Sequence, residues 1–264
     1  IRALLATLPP TGWVLDFGNM DIFVGSIDRF SGPVFTVTGH SNVRVIGKGE
    51  FLVTNAFDLT AADFYIVESQ PLWRFANCEN VEVDIRAEGS AIDYTKPKGL
   101  VAVDIHTTAT DTKLNGYQLK VKAKKGIAAV TASRPNSEIQ PASPVSTTIA
   151  KNFVVNVDTE DVRYGVRCVA NGWKVAGSVR TKNAVRSYFI ADSSLHDVTV
   201  HSDGHNYFTD ILVKSYRYDV TDVRIRYSGV NSGPAAYAPA TIEHQNDHQS
   251  SKIQRIHLDI DYAG

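Results

Sequence analysis

The segment HDVTVHSDGH, residues 196–205, places three histidines and two aspartates within ten positions. Imidazoles and carboxylates at that density are the groups of general acid–base catalysis and of metal binding. Two carboxyl groups roughly 5–9.5 Å apart can hydrolyse a glycosidic bond. A base beside a uronate's α-proton, with a cation on the carboxylate, can cleave the same bond by elimination. Asp203 is the acid inside the segment, and further acids recur around it. Asp192 with His196, Asp219 with Asp222, and Asp247 with His248 occupy successive polar connectors. Glu243 stands one position after Ile242 and is expected on an outer face. Asp203, Asp192, Asp219 and Glu243 are therefore the candidate catalytic acids. A second use of such acids is structural, because Asp in connectors bonds its own backbone.

His201, His205 and Tyr207, with Arg186 and Tyr216, are the candidate saccharide contacts. Pyranose rings have an apolar face and a polar edge, so they bind aromatic faces flanked by hydrogen-bonding side chains. Six of the eight histidines lie in the last third, with Tyr207, Tyr216, Tyr218, Tyr227 and Tyr237. Arg180, Lys182 and Arg186 form a small basic cluster beside them, suited to an acidic sugar or simply to solvent. Cys78 and Cys168 are far apart and show no zinc-ligand spacing, so both read as small buried hydrophobes. No spaced His pair completes a ligand set, and neither a metal nor a cofactor is expected.

Composition narrows the partners. With 27 basic and 28 acidic side chains the formal net charge is -1. That balance gives no general attraction to nucleic acid or to an anionic membrane surface. No apolar run approaches the ~20 residues of a spanning helix, so membrane insertion is not expected. The opening IRALLATLPP is too short and wrongly built for a signal peptide. It lacks an initiator Met, as a processed product or fragment would.

The elements that must position these residues form a repeat. VFTVTGHSNVRVIGKG, LWRFANCENVEVDIRAEG, SYFIADSSLHDVTVHSDG and DILVKSYRYDVTDVRIRYSG share one plan. Each is a short apolar strand, a polar connector and an alternating strand. In the second strands Val81, Val83 and Ile85 alternate with Glu82, Asp84 and Arg86. Val198 and Val200 alternate with Thr199 and His201, and Val223 and Ile225 with Arg224 and Arg226. Period two means one face buried and one wet, so His201 points outward. Helical periodicity is confined to residues 2–8, ended by Pro9-Pro10. A recurring unit of roughly 20 to 40 residues is solenoid spacing. The expected fold is all-β, a right-handed parallel β-helix with a short N-terminal helical cap. Residues 1–30 form the cap and entry strand, and 31–264 the helix, with loop inserts near 131–150 and 228–241. A β-sandwich also uses many short alternating strands, but it does not require the two-strand phrase to repeat.

Residues ALLATLPPTGWVLDFGNMDIFVGS resemble the entry of pectate-lyase-like β-helices, above all phage tailspikes, and NVRVIGKGEF resembles their first full coil. The N-V-x-V-x-G phrasing extends the resemblance over roughly residues 4–262. It implies a protein that binds, and in many cases depolymerises, a bacterial surface polysaccharide, as a homotrimer on a virion tail or outside the cell. The family's calcium-binding acids and catalytic Arg find no residue-by-residue match here, so no catalytic position is carried over. Two other readings are kept: a non-catalytic structural or receptor-binding virion protein, and a cellular polysaccharide lyase or glycoside hydrolase. The chain ends IHLDIDYAG within a strand-like repeat. An uncapped final coil exposes backbone and core, so continuation or oligomerisation is expected there. Within HDVTVHSDGH, Ser202-Asp203-Gly204 is expected to form a coil corner, because Gly supplies the positive φ of a sharp turn.

Overall fold

A computed structural model describes residues 1–26, 32–54, 70–89, 100–106, 113, 115–133, 151–169, 174–205, 209–215, 219–230, 238–244 and 251–263. One short helix, α1 (Arg2–Leu5), precedes sixteen strands among them. These are β1 (Val14–Asp16), β2 (Ile22–Ser26), β3 (Phe35–Thr38), β4 (Ser41–Thr54), β5 (Gln70–Ala76), β6 (Glu79–Gly89), β7 (Leu100–His106) and β8 (Asn115–Ser133). There follow β9 (Lys151–Val169), β10 (Val175–Ala184), β11 (Arg186–Ala191), β12 (His196–His205), β13 (Ile211–Ser215), β14 (Val220–Val230), β15 (Ala240–His244) and β16 (Ile253–Ala263).

Every pairing between these strands is parallel. They lie along two faces of a solenoid. Sheet A runs β1-β4-β6-β8-β9-β10-β12-β14-β16. Sheet B runs β3-β5-β7, then the second halves of β8 and β9, then β11-β13-β15. Each coil contributes one strand to each sheet, as the repeated phrase predicts, and the fold is a parallel β-helix.

The alternation decides what is inside. Val81, Val83, Val198, Val200, Val223 and Ile225 are all at most 1% exposed. They join one apolar column that runs through successive coils. Burying each such side chain contributes about 1.5–3 kcal/mol. Cys78 and Cys168 are free thiols buried in that column. Aromatic rings fill the early coils: Phe17, Phe35, Phe51 and Trp73 pack in mutual contact. At sheet B the inward set divides between two clusters. Val103 and Ile105 face the main core, but Val101 packs with Ile127 and Ala128 in a separate small cluster.

Corners are set by backbone rather than by side-chain bulk. Entering sheet A, Asn42, Asn80, Gly116, Asn152, Leu195, Asp222 and Arg255 hold φ between 50° and 73°. The strand registers place these residues in one column. Asn80 Nδ2 donates to Asn42 Oδ1 at 3.0 Å, one coil down. Asn and Gly are the residues that take this left-handed conformation most easily. Leaving sheet A, a second column holds Lys125, Asp161, Asn183 and Gly204, with φ of 51°, 54°, 54° and 81°. Gly204 is therefore the corner of its coil, whereas Ser202 and Asp203, expected to share that corner, pair as ladder residues of β12. Gly229, by contrast, pairs with Ser202 and belongs to strand β14.

The ends differ from the middle. Helix α1 is shorter than residues 2–8, and Arg2 Nε donates to Val34 O at 2.6 Å, tying the cap to the entry of β3. Leu5 and Leu8 pack on the first coil's core. At the other end, Ile242 of β15 and Ile260 of β16 are 48% and 38% exposed. Of the expected inserts, residues 131–133 belong to β8, 228–230 to β14 and 240–241 to β15, while 134–150 and 231–237 lie outside the described residues. No helix among the described residues is long and apolar enough to cross a membrane.

Candidate functional site

Stacking in register turns scattered surface residues into columns. On the outer face of sheet A one column reads Glu50, Arg86, Lys122, Asp158, Arg180, His201 and Ser228. The next reads Glu88, Lys124, Glu160, Lys182 and Asp203. Successive members sit one strand spacing apart, about 4.8 Å. Between these columns lies a groove of about 440 Å³. Its charged lining runs from Glu50 and Arg86 at one end to Asp203 at the other.

Ion pairs tie most of this surface together. Lys182 Nζ lies 2.7 Å from Glu160 Oε1, and Lys124 Nζ lies 3.7 Å from Glu160 Oε2. Lys122 reaches Asp158 at 3.3 Å. The hydrogen bond and charge of Lys182, aided by Lys124, hold the Glu160 carboxyl below its ordinary range. Glu160 raises the Lys182 ammonium in return. Glu160 is thus a fixed carboxylate, suited to act as base or counter-ion and not as proton donor.

His201 and Asp203 stand at the far end of the groove, on one strand. His201 Nε2 is 3.2 Å from Asp203 Oδ1, and His201 Nδ1 is 3.0 Å from Ser228 Oγ. With the proton on Nε2, the ring donates to Asp203 and accepts from Ser228. The histidine side chain is 38% exposed and Asp203 53%.

The other predicted residues lie elsewhere. Arg186 begins β11 on sheet B, paired with Tyr164 and half-buried. Glu243 is on sheet B as well, on β15, with Lys214 Nζ at 3.2 Å from its carboxylate. Asp192 is fully buried at the corner between β11 and β12, at φ 50°. Asp219 is exposed at the corner before β14, and its Oδ1 accepts the Lys252 N–H at 2.8 Å. Asp222 is held by a fork of two bonds from Arg255. The registers do not stack the connector acids on one another: Asp222 lies between Leu195 and Arg255 and Asp219 beside Lys252, Asp247 lies outside the described residues, and Asp219 and Asp222 spend their oxygens on the frame. Asp104, on the outer side of sheet B, is buried, accepting from Arg74 Nε and Thr131 Oγ1. His205 pairs through its backbone with Ala184, and its side chain, like Tyr207 and Tyr216, lies outside the described residues.

His196, which sequence grouped with Asp192, is inside the solenoid. Its Nδ1 lies 2.8 Å from the Tyr188 hydroxyl, and its Nε2 lies 2.8 Å from Ser193 Oγ. Ser193 Oγ in turn lies 3.5 Å from Cys168 Sγ. Burial pushes the imidazole down to about 3, so it is neutral. Burial also raises the Tyr188 hydroxyl well above its usual range. All four residues are at most 1% exposed, which leaves no path for a substrate. A similar buried group joins Asp210 to Ser187 at 3.1 Å and to the Tyr227 hydroxyl at 2.6 Å.

Sequence reasoning passed over Arg86, Lys122, Lys124, Asp158 and Glu160. Their signal was present as the outward positions of KVKAKK and VDTED. What it lacked was register, since the coil takes 38 residues between Arg44 and Glu82 but 22 between Asn156 and Ser178. Among the described residues no group of three His, Cys, Asp or Glu is placed to hold a metal ion. No family model, no curated protein and no solved structure matches the chain.

Proposed function

We propose that the chain binds a bacterial surface polysaccharide along the outer face of sheet A, as a phage tailspike-like β-helix. The observation that carries this reading is the groove of about 440 Å³ across successive coils. It is long, shallow and lined by hydrogen-bonding side chains, the form an extended polymer needs. Asp203 stands at one end of it, with His201 bonded behind. A location on a virion tail or outside the cell, and a homotrimeric state, belong to the same proposal.

Cleavage is the second reading, and one observation favours it. Glu160 and Asp203 share a column two strand spacings apart, roughly 9–10 Å between backbones. That approaches the upper separation for an inverting pair. Against it, both carboxylates lie beside cations or a donor, and hydrolysis needs one proton-bearing acid. Binding is therefore the primary function proposed. The test is incubation with a panel of capsule and O-antigen polysaccharides, followed by retention and size analysis. Retention of at least one polymer is expected. Failure to retain any would overturn the reading, and shortened products would establish cleavage.

A further inference from the structure

We infer that the groove on sheet A is an oxyanion-reading site, and that its ligand is a polymer bearing regularly spaced carboxylate or sulfate groups. The inference rests on the saccharide-binding reading of the same groove and names the class of saccharide. Five cations line the groove: Arg86, Lys122, Lys124, Arg180 and Lys182. The three lysines are committed, Lys122 to Asp158 and Lys124 and Lys182 to Glu160. The two arginines are not. Arg86 and Arg180 are exposed, and their guanidinium groups make no ion pair or hydrogen bond among the described residues.

Position makes them a pair. Arg86, Lys122, Asp158 and Arg180 are consecutive in one column. The guanidinium groups are therefore rooted three strand spacings apart, roughly 14 Å. The Lys122–Asp158 pair between them is internally neutral. What the groove presents is two separated forks, each shaped for bidentate contact with a planar oxyanion. Glu50 and Asp203 stand at its two ends. A polyanion is repelled by both and is thereby confined to the stretch between them. A neutral glycan offers either arginine only uncharged oxygens, the weaker contact.

The experiment compares one backbone with and without its charge. The full chain is titrated calorimetrically with polygalacturonate and with its methyl ester, and with dextran sulfate and dextran. The charged member of each pair is expected to bind and the neutral member to bind at least about tenfold more weakly, the worth of one or two charge-assisted contacts. Arg86→Ala and Arg180→Ala should each weaken polyanion binding about tenfold. The lysine variants R86K and R180K should recover only part of it, because an ammonium lacks the fork. Arg224→Ala, on the same face but outside the groove, should bind as the parent does. Thermal melting accompanies each variant, and the lysine variants carry the test if an alanine variant fails to fold. If neutral and charged polymers bind equally, the oxyanion assignment is overturned while the saccharide reading stands. If Arg224→Ala loses as much as Arg86→Ala, diffuse attraction has replaced the site and the assignment again fails. If no polymer of either kind binds, the oxyanion assignment falls, and retention on the capsule and O-antigen panel decides the saccharide reading separately.

Discussion

Single residues in this solenoid do opposite things according to the face that the alternation assigns them. His201 and His196 are five positions apart on one strand. His201 stands on the outer face one coil beyond the groove-lining Arg180 and holds Asp203. His201→Ala should weaken polysaccharide retention and leave the melting temperature within about 2 °C, since surface substitutions change stability by only about 0.5 kcal/mol. Unchanged retention would remove His201 from the site. His196 is sealed between Tyr188 and Ser193 and stays neutral down to about pH 3. An unfolded chain protonates the same ring near pH 6.5. Between those values the unfolded state holds more protons, so stability rises with pH across that window. Acidification below pH 6.5 should cost about 1.4 kcal/mol per unit until about pH 3, within the wider loss from carboxylates. His196→Gln should flatten that share in urea unfolding series at pH 4, 5 and 6. A variant with the parent's full slope would contradict the buried, neutral assignment.

At the scale of the element, the corners carry the fold's least replaceable chemistry. Gly204 occupies a left-handed column whose other members are Lys125, Asp161 and Asn183. Gly204→Asn should therefore be nearly neutral. Gly204→Val should cost about 1–2 kcal/mol or more, because a branched Cβ meets the following carbonyl in that conformation. Equal midpoints for the two variants would show that the turn is not confined to positive φ. Gly229 is needed for another reason: a Cβ there would lie 2.1 Å from the Tyr227 hydroxyl, which bonds Asp210. Gly229→Ala should displace that ring and leave the buried Asp210 short of a donor, a loss of about 1–3 kcal/mol. Denaturant unfolding of Gly229→Ala beside Tyr227→Phe measures it, and additive losses would deny that the two act through one contact.

Over the whole molecule, burial and not surface charge holds the coils together. The outer ladder of Lys120–Asp84, Lys122–Asp158 and Lys182–Glu160 is about half exposed. Such pairs are worth about 0–1 kcal/mol each and are screened by salt. Melting in about 1 M salt should therefore change little, whereas Val83→Ala, in the centre of the column at 0% exposure, should cost about 1–3 kcal/mol. A melting temperature that collapses in salt while Val83→Ala is silent would reverse that order. Light scattering of the complete natural polypeptide should show a trimer, and a stable monomer would count against the assembly proposed.

Sequence alone determined the solenoid, its buried column and its outward faces, because period-two alternation is a local property that each strand states for itself. Val198, Val200 and His201 needed no neighbour to be placed. It also foresaw the corner at Gly204, since turn chemistry is local too. Which outward residues meet was decided only by tertiary structure. Contact between coils depends on register, and register depends on connector lengths that vary from coil to coil. So Arg86, Lys122, Asp158 and Arg180 became one column only when the chain was wound. The same winding sent Arg186 and Glu243 to the other sheet and buried His196. A two-strand phrase says that a residue faces out, but not on which sheet or beside which partner.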